Sequence, residues 1–382
     1  MEGALVSLAS ADGAIQSLVG GFDFARSKFN RVTQAMRQPG SNFKPFVYSA
    51  ALDHGFTPAS FVNDAPIVFD APGLESVWRP ENYTGTYYGP TRLRDALANS
   101  RNLVSIRLLR ELGVDTVVSH VSRFGFDAKS LPRNLSIALG TGETTPLTVA
   151  TAYAAFSNGG FRVTPYFIAR VETADGHTLE TAHPAVACED CGTGGASDSE
   201  PVDLDALRQQ QTQSAAPRAV DAQNAYLMYS MMKDVITRGT ARRAIQLNRK
   251  DLAGKTGTTN DQKDAWFSGF NGKIVATTWV GFDIVKPLGG QETGARAALP
   301  IWMDYMRVAL KDMPETELAP PPGVVTVRID PDTGAPAGAG TRGAVLESFR
   351  EKERLRSVRF CCCCGSRSCG SYGPLQRPSK PG

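Results

Sequence analysis

Three short polar segments carry the residue types and spacings best able to do chemistry in this chain: Ser41-Asn42-Phe43-Lys44, Ser100-Arg101-Asn102 and Lys255-Thr256-Gly257-Thr258. A serine hydroxyl is a weak nucleophile at neutral pH and needs a base within hydrogen-bond reach. Ser41 and Lys44 are three residues apart, a spacing that puts both on one face of a helix. Pro39-Gly40 is a breaker pair just before them, Ser41 is a favoured helix-start residue, and Pro45 is tolerated in a first turn. Phe43, Phe46, Val47, Ala50 and Ala51 recur at the period of a buried helix face, with Gly55 as a C-terminal stop. A lysine on so apolar a helix is partly desolvated, which lowers its pKa and supplies a free amine as base. The helix N-terminus adds backbone N–H groups suited to an oxyanion. The chemistry is acyl transfer through a serine.

Alone, S-x-x-K is common and reads better as a helix cap with a surface lysine; the other two segments reverse the balance. Ser100-Arg101-Asn102 lies on a connection between two helical stretches. A hydroxyl there can relay a proton and an amide can bond a peptide carbonyl, against a competing reading as cap and turn asparagine. Lys255-Thr256-Gly257-Thr258 suits a strand that a ligand approaches closely, because Gly257 has no side chain in the way. An extended peptide can add to such an edge, and Lys255, Thr256 and Thr258 offer donors to a carboxylate. The competing phosphate-binding turn is weakened because no G-x-x-x-x-G-K-[ST] precedes it.

The elements that must position these segments are legible in outline. Ala4–Leu8 alternates like a strand, Ala11-Asp12-Gly13 turns, and Ile15, Leu18 and Val19 make a second strand. Residues 267–270, the Asn271-Gly272 turn and 274–280 read as a hairpin. Residues 300–310 read as an amphipathic helix with Ile301, Trp302, Tyr305 and Val308 on its apolar side. With the Lys255 strand, these give a five-stranded antiparallel sheet, and a cluster of helices from Ser41 to Gly159 packs against it. The fold class is mixed α/β, the sheet flanked by helices with an all-helical subdomain.

Composition sets bounds. The chain has 382 residues, 42% of them hydrophobic, ample for a core, and a net charge of +3, too small to imply a nucleic-acid partner. The four histidines form no zinc constellation, so neither metal nor cofactor is expected. No apolar run is long enough to cross a membrane. Met1 opens directly onto a strand, with no leader pattern, so the chain is expected to be a fragment or truncated product. Residues 172–219 are polar, glycine-rich and poor in aromatics, and read as a flexible surface insertion. Within it Cys188 and Cys191 form a C-x-x-C, for which a disulfide outweighs zinc or free thiols. Residues 346–382 read as a disordered tail. Its Cys361-Cys362-Cys363-Cys364 run suits neither a core nor a tetrahedral metal site, and a shifted reading frame would produce it.

The three segments together resemble the penicillin-binding protein and serine β-lactamase superfamily, above all the transpeptidase domain of class A (bifunctional) penicillin-binding proteins. Longer stretches carry the same resemblance: Arg37-Gln38-Pro39-Gly40-Ser41, Pro80-Glu81-Asn82-Tyr83 to Gly89-Pro90, Ala138-Leu139-Gly140-Thr141 to Pro146-Leu147, Tyr153 to Gly160, and Gly254 to Phe267. It covers residues 2 to about 345, taken as one domain, and implies roles. Ser41 attacks the carbonyl between two D-alanines of a peptidoglycan stem peptide, and Lys44 is the acylation base. Ser100 passes a proton toward the leaving group, and Asn102 holds the substrate amide. Lys255 shapes the field, and Thr256 and Thr258 bind the terminal carboxylate beside Gly257. The Ser41 and Thr258 N–H groups form the oxyanion hole.

The partners so implied are stem peptides and β-lactams. The family's setting is the periplasmic face of the inner membrane, with an anchor and a glycosyltransferase domain upstream, both expected to be absent here. Arg101 stands where β-lactamases carry aspartate, which leans away from a serine β-lactamase, as does the lack of an E-x-x-L-N segment. The alternatives are a β-lactamase and an inactive penicillin-binding fragment. A penicillin held for many minutes would exclude the first, and turnover of a D-Ala-D-Ala substrate would exclude the second.

Overall fold

The computed structural model describes residues 1–68, 78–189, 191 and 214–353. Its centre is a five-stranded antiparallel sheet in the order β2-β1-β9-β8-β7. These strands are β1 (Glu2–Ala9), β2 (Ile15–Val19), β7 (Ala253–Thr258), β8 (Asp264–Phe270) and β9 (Ile274–Gly281), while β3 (Phe61–Asp64) and β4 (Gly89–Arg92) pair with each other outside this sheet. The three hairpin and strand expectations therefore meet in one sheet, with β1 joined to β9 across the chain through pairs such as Val6↔Thr277. The Lys255 strand, β7, is an edge, paired only with β8. At the β8–β9 turn the Asn271 side-chain oxygen accepts from the N–H groups of Lys273 and Ile274, at 3.0 and 2.9 Å. The asparagine closes this turn through its side chain.

The strands β8 and β9 are buried on both faces, as expected where helices cover a sheet twice. Trp266, Phe270, Val275 and Trp279 join the larger core. Ala265, Phe267, Ala276 and Val280 join a second core on the opposite face. The larger core belongs to α2 (Lys44–Asp53), α3 (Leu93–Ala98), α4 (Asn102–Leu112), α5 (Val114–Ser122), α6 (Pro146–Ser157) and α7 (Ala222–Thr237), which follow the short α1 (Arg31–Gln34). The second core belongs to α8 (Leu299–Ala309). Helices thus lie on both faces of the sheet.

Residues 44–52 of α2 are all buried, so this is a central helix and not one with a single buried face. Phe46 meets Phe43, Phe124, Phe126, Tyr153 and Phe156 with ring centroids 4.9–5.7 Å apart. Burying each such ring is worth roughly 2–3 kcal/mol. That packing holds a helix whose first residues are a lysine and a proline. The helix ends where expected, at His54, with Gly55 at φ +83°.

Three expectations are corrected. In α8 the buried residues are Leu299, Trp302, Met303 and Met306, while Ile301 is 40% and Val308 76% exposed. Two apolar stripes compete there, and the one carrying Trp302 fills the core. The ordered fold does not stop at 345. β11 (Val345–Arg350) pairs with β10 (Val324–Ile329), and a 3₁₀ turn continues to Glu353. Glu347, Phe349 and Arg350 are buried, with Glu347 bonded to Arg94. The remainder of the expected tail, including the cysteine run, lies outside the described residues. Within the 172–219 segment the described residues 186–187 and 214–216 are anchored by backbone bonds. Ala187 N–H donates to Ala11 O, Val186 N–H to Ser214 O, and Ala216 N–H to Val186 O, while an exposed hairpin, β5 (Arg170–Glu172) and β6 (Thr178–Thr181), opens it. Cys188 and Cys191 are joined as a disulfide. Residues 190 and 192–213 lie outside the described set.

Candidate active site

A 3₁₀ turn, Gly40–Phe43, carries Ser41 and runs directly into α2 at Lys44. Ser41 is therefore not the first residue of an α-helix, as its type suggested. The tighter turn eclipses residues three apart, which brings Ser41 and Lys44 to one side more strictly than an α-helix would. The turn is anchored on all sides. Arg37 and Thr144 exchange backbone hydrogen bonds at 2.9 Å, Trp266 Nε1 donates to Gln38 O, Tyr153 Oη to Asn42 O, and Asn42 Nδ2 to Lys255 O. Arg37 is held in turn by Asp264, 2.8 Å from its Nε.

Glycines let this turn meet the sheet edge. A Cβ on Gly40 (φ +56°) would lie 2.5 Å from Thr258 O, and one on Gly257 2.4 Å from Pro39 O and 2.8 Å from Asn42 Cβ. The space beside Gly257 is filled by the serine-bearing turn. This corrects the expectation that the missing side chain admits a ligand: glycine is needed there for turn-to-strand contact.

Behind Ser41 lies a buried network. Lys44 Nζ is 2.7 Å from both Ser100 O and Asn102 Oδ1, and 3.2 Å from Ser100 Oγ. Lys255 Nζ donates to Ser100 Oγ at 2.9 Å and to Thr256 O at 3.0 Å. One hydroxyl thus joins two amines that are both fully buried. Burial, reinforced by the Lys255 charge, pushes Lys44 well below the usual lysine range, and burial brings Lys255 down to about 7. Lys44 makes no hydrogen bond to Ser41 Oγ here; its bonds go to the second segment. Lys255 likewise stands behind the surface and bonds Ser100, so it is not a direct donor to a carboxylate.

Ser100 and Asn102 are aimed by features the sequence reading passed over. Ser100 has φ +57°, a left-handed conformation costly for serine and typical of functional sites. Asn102 opens α4, and its N–H donates to Asn82 Oδ1 at 2.9 Å, while its Nδ2 donates to Glu81 O at 2.7 Å. Asn82 in turn holds both carboxylate oxygens of buried Asp64, at 2.8 and 2.9 Å. The 80–90 stretch was noted in the sequence without a role; the asparagine within its polar run was the available signal. Thr240, also missed, lies 2.7 Å from Thr256 Oγ1 through its own Oγ1. Thr258 Oγ1 accepts from Gly294 N–H at 3.0 Å, which leaves its hydrogen free to donate.

Ser41, Ser100, Asn102, Thr240, Thr256 and Thr258 all line one open cavity of about 790 Å³ between β7 and the helices. The structure therefore gathers the three separated segments at one place, with hydroxyls at the surface and amines beneath. Among the described residues no cluster of His, Cys, Asp and Glu could hold a metal ion. No described helix is long and apolar enough to cross a membrane.

A serine thus stands at a sheet edge, backed by two buried lysines and faced by threonine hydroxyls on a K-T-G strand. A family model for the penicillin-binding protein transpeptidase domain matches residues 3–304, and the chain belongs to that family. Penicillin-binding protein 1A of Pseudomonas aeruginosa is 51% identical over 380 residues, which cover 94% of this chain and 46% of that protein. Its counterpart in Neisseria lactamica is 48% identical over 326 residues, 85% of this chain and 38% of that one. The chain thus spans less than half the length of these curated relatives. The crystal structure of penicillin-binding protein 1A from Haemophilus influenzae matches with a TM-score of 0.83 at 40% identity, covering 91% of this chain and 53% of the other. The fold is also that of PonA1 from Mycobacterium tuberculosis, solved in complex with penicillin V, at a TM-score of 0.65 and 24% identity.

Proposed function

We propose that this domain is a D,D-transpeptidase that cross-links peptidoglycan stem peptides through an acyl-enzyme on Ser41, and that β-lactams acylate the same serine. The reading is carried by the shared hydroxyl: Ser100 Oγ lies within hydrogen-bond distance of both Lys44 and Lys255. A neutral amine has two N–H groups and a lone pair. In Lys44 the two N–H groups suit Ser100 O and Asn102 Oδ1, both at 2.7 Å. Its lone pair is then free to take a proton from Ser41, or from Ser100 as Lys255 donates to that hydroxyl.

On this reading the donor peptide extends along the β7 edge, its terminal carboxylate on the hydroxyls of Thr256 and Thr258. Ser41 Oγ bonds to the penultimate D-alanine carbonyl carbon as Lys44 accepts its proton. The N–H groups of Ser41 and Thr258 hold the oxyanion. Collapse breaks the C–N bond, and Ser100 relays the proton from Lys44 to the departing D-alanine nitrogen. The free nitrogen of a second stem peptide then attacks the ester, its proton returns through the same relay, and Ser41 is released with a new amide formed. Asn102 Nδ2 has one hydrogen left for the substrate amide beyond its bond to Glu81 O. The disulfide Cys188–Cys191 suits work on the periplasmic face of the inner membrane, an oxidising setting.

The test is exchange. Given a peptide ending in D-Ala-D-Ala and a labelled D-amino acid, the protein should release D-alanine and incorporate the label in its place. Release without incorporation would point to hydrolysis, and neither would point to an inactive binding fragment.

A further inference from the structure

The acyl-transfer scheme leaves one charge on the cavity wall unused. Arg101 lies between Ser100 and Asn102 and lines the cavity with them. Its guanidinium carbon sits 3.5 Å from the centroid of the Tyr88 ring. Stacking of this kind holds the planar group by its face; a hydrogen bond to the Tyr88 hydroxyl takes up part of its donor set, and the other in-plane N–H donors are left for another acceptor. Among the described residues no carboxylate forms an ion pair with Arg101, whereas Arg92 has Asp95 and Arg94 has Glu347. The other charged side chains on the cavity lining are both acids, Glu81 and Asp261. A braced, unpaired guanidinium in an otherwise neutral or acidic cleft matches a planar anion presented by the substrate.

The substrate's terminal carboxylate is already assigned to the β7 hydroxyls. Arg101 stands instead against the 78–88 wall, where the part of the donor that is retained as the acyl group would lie. We propose that Arg101, braced by Tyr88, is a specificity-determining residue that pairs with a carboxylate of the donor peptide on the N-terminal side of the scissile bond. This rests on the acyl-transfer reading of Ser41.

The experiment compares two penicillins that differ only by a carboxylate on the side chain, measuring the second-order rate of acylation for each. The ratio of the carboxylated to the uncarboxylated rate is read in wild type, Arg101→Gln, Arg101→Lys and Tyr88→Leu, with thermal melts to confirm folding. The ratio should fall about tenfold in Arg101→Gln, the effect of losing one charge-assisted contact. It should fall less in Tyr88→Leu, which keeps the charge and loses the brace, and be partly kept in Arg101→Lys. An unchanged ratio in Arg101→Gln, including one in which both rates drop together, would overturn the proposal. If wild type is acylated by neither penicillin, the Ser41 reading itself fails, a result distinct from acylation with an insensitive ratio.

Discussion

Lys44 and Lys255 share a single hydroxyl, and neither forms an ion pair among the described residues. Their low pKa values follow from burial, and the pH behaviour follows from those values. In the proposed mechanism Lys44 acts as base only when neutral, so acylation should rise with pH through its lowered pKa and then level. Lys255 loses its proton as pH rises through about 7, so the positive field that favours a carboxylate should fade on the alkaline side. A pH–rate profile with a Lys255→Arg variant should move the alkaline limb upward, since arginine stays charged. Lys44→Arg should cut acylation at least 10²–10⁴-fold, roughly the worth of a general base. Stability carries the same signature. Between about 7 and the unfolded value near 10.4, the unfolded chain holds a proton the folded chain has released, so stability should rise with pH. Lys255→Met should lessen that rise in denaturant titrations at pH 7 to 10, leaving the share that the lowered Lys44 contributes. The serine, the lysines and the threonines were legible because each sits as a polar residue in an apolar run. The left-handed Ser100 was not, because serine has no marked preference for that conformation, and only the surrounding packing imposes it.

At the scale of elements, the account rests on one contact: the 3₁₀ turn of Ser41 against the edge strand of Lys255. Gly257→Ala would place a Cβ 2.4 Å from Pro39 O and 2.9 Å from Trp266 Cβ, where backbone and a buried ring resist movement. The expected cost is about 1–3 kcal/mol in unfolding experiments, with acylation slowed because the serine is pushed from the strand. A variant as stable and as reactive as wild type would show that this contact does not position Ser41. The sheet's strands followed from alternation and turn residues, and the central helix from its apolar period, whereas the strand order emerged only in the fold. What failed was the choice between near-equivalent patterns. In α8, Ile301, Tyr305 and Val308 share a helical period as regular as that of Trp302 and Met306, and only the shape of the sheet face decides which is buried. The expected N-terminal serine cap became a 3₁₀ turn because Gly40, pinned under Gly140 and Thr258, fixes the chain before the helix can start.

Over the whole molecule, β11 ties a late segment of the chain to the helix preceding Ser100. Arg94 on α3 donates to both carboxylate oxygens of Glu347, at 2.8 and 3.0 Å from its Nε, and the Glu347 side chain is fully buried. Glu347→Ala would leave the Arg94 guanidinium buried against Asp234 alone as a charged partner, at 3.3 Å. The expected loss is about 3–5 kcal/mol in urea unfolding of the full chain. This strand escaped the sequence reading because the resemblance fades there, and its pairing with β10 is visible only once both are folded. The β5–β6 hairpin and the anchored residues of the 172–219 segment were hidden for a similar reason: polar composition reports exposure, not order. What joins these scales is the proposed nucleophile, made reactive by buried amines, and intact-protein mass spectrometry after penicillin treatment addresses it directly. Wild type should gain the mass of one penicillin, located on the peptide containing Ser41, and Ser41→Ala should gain none. An unmodified wild type, or an adduct that persists in Ser41→Ala, would contradict the account.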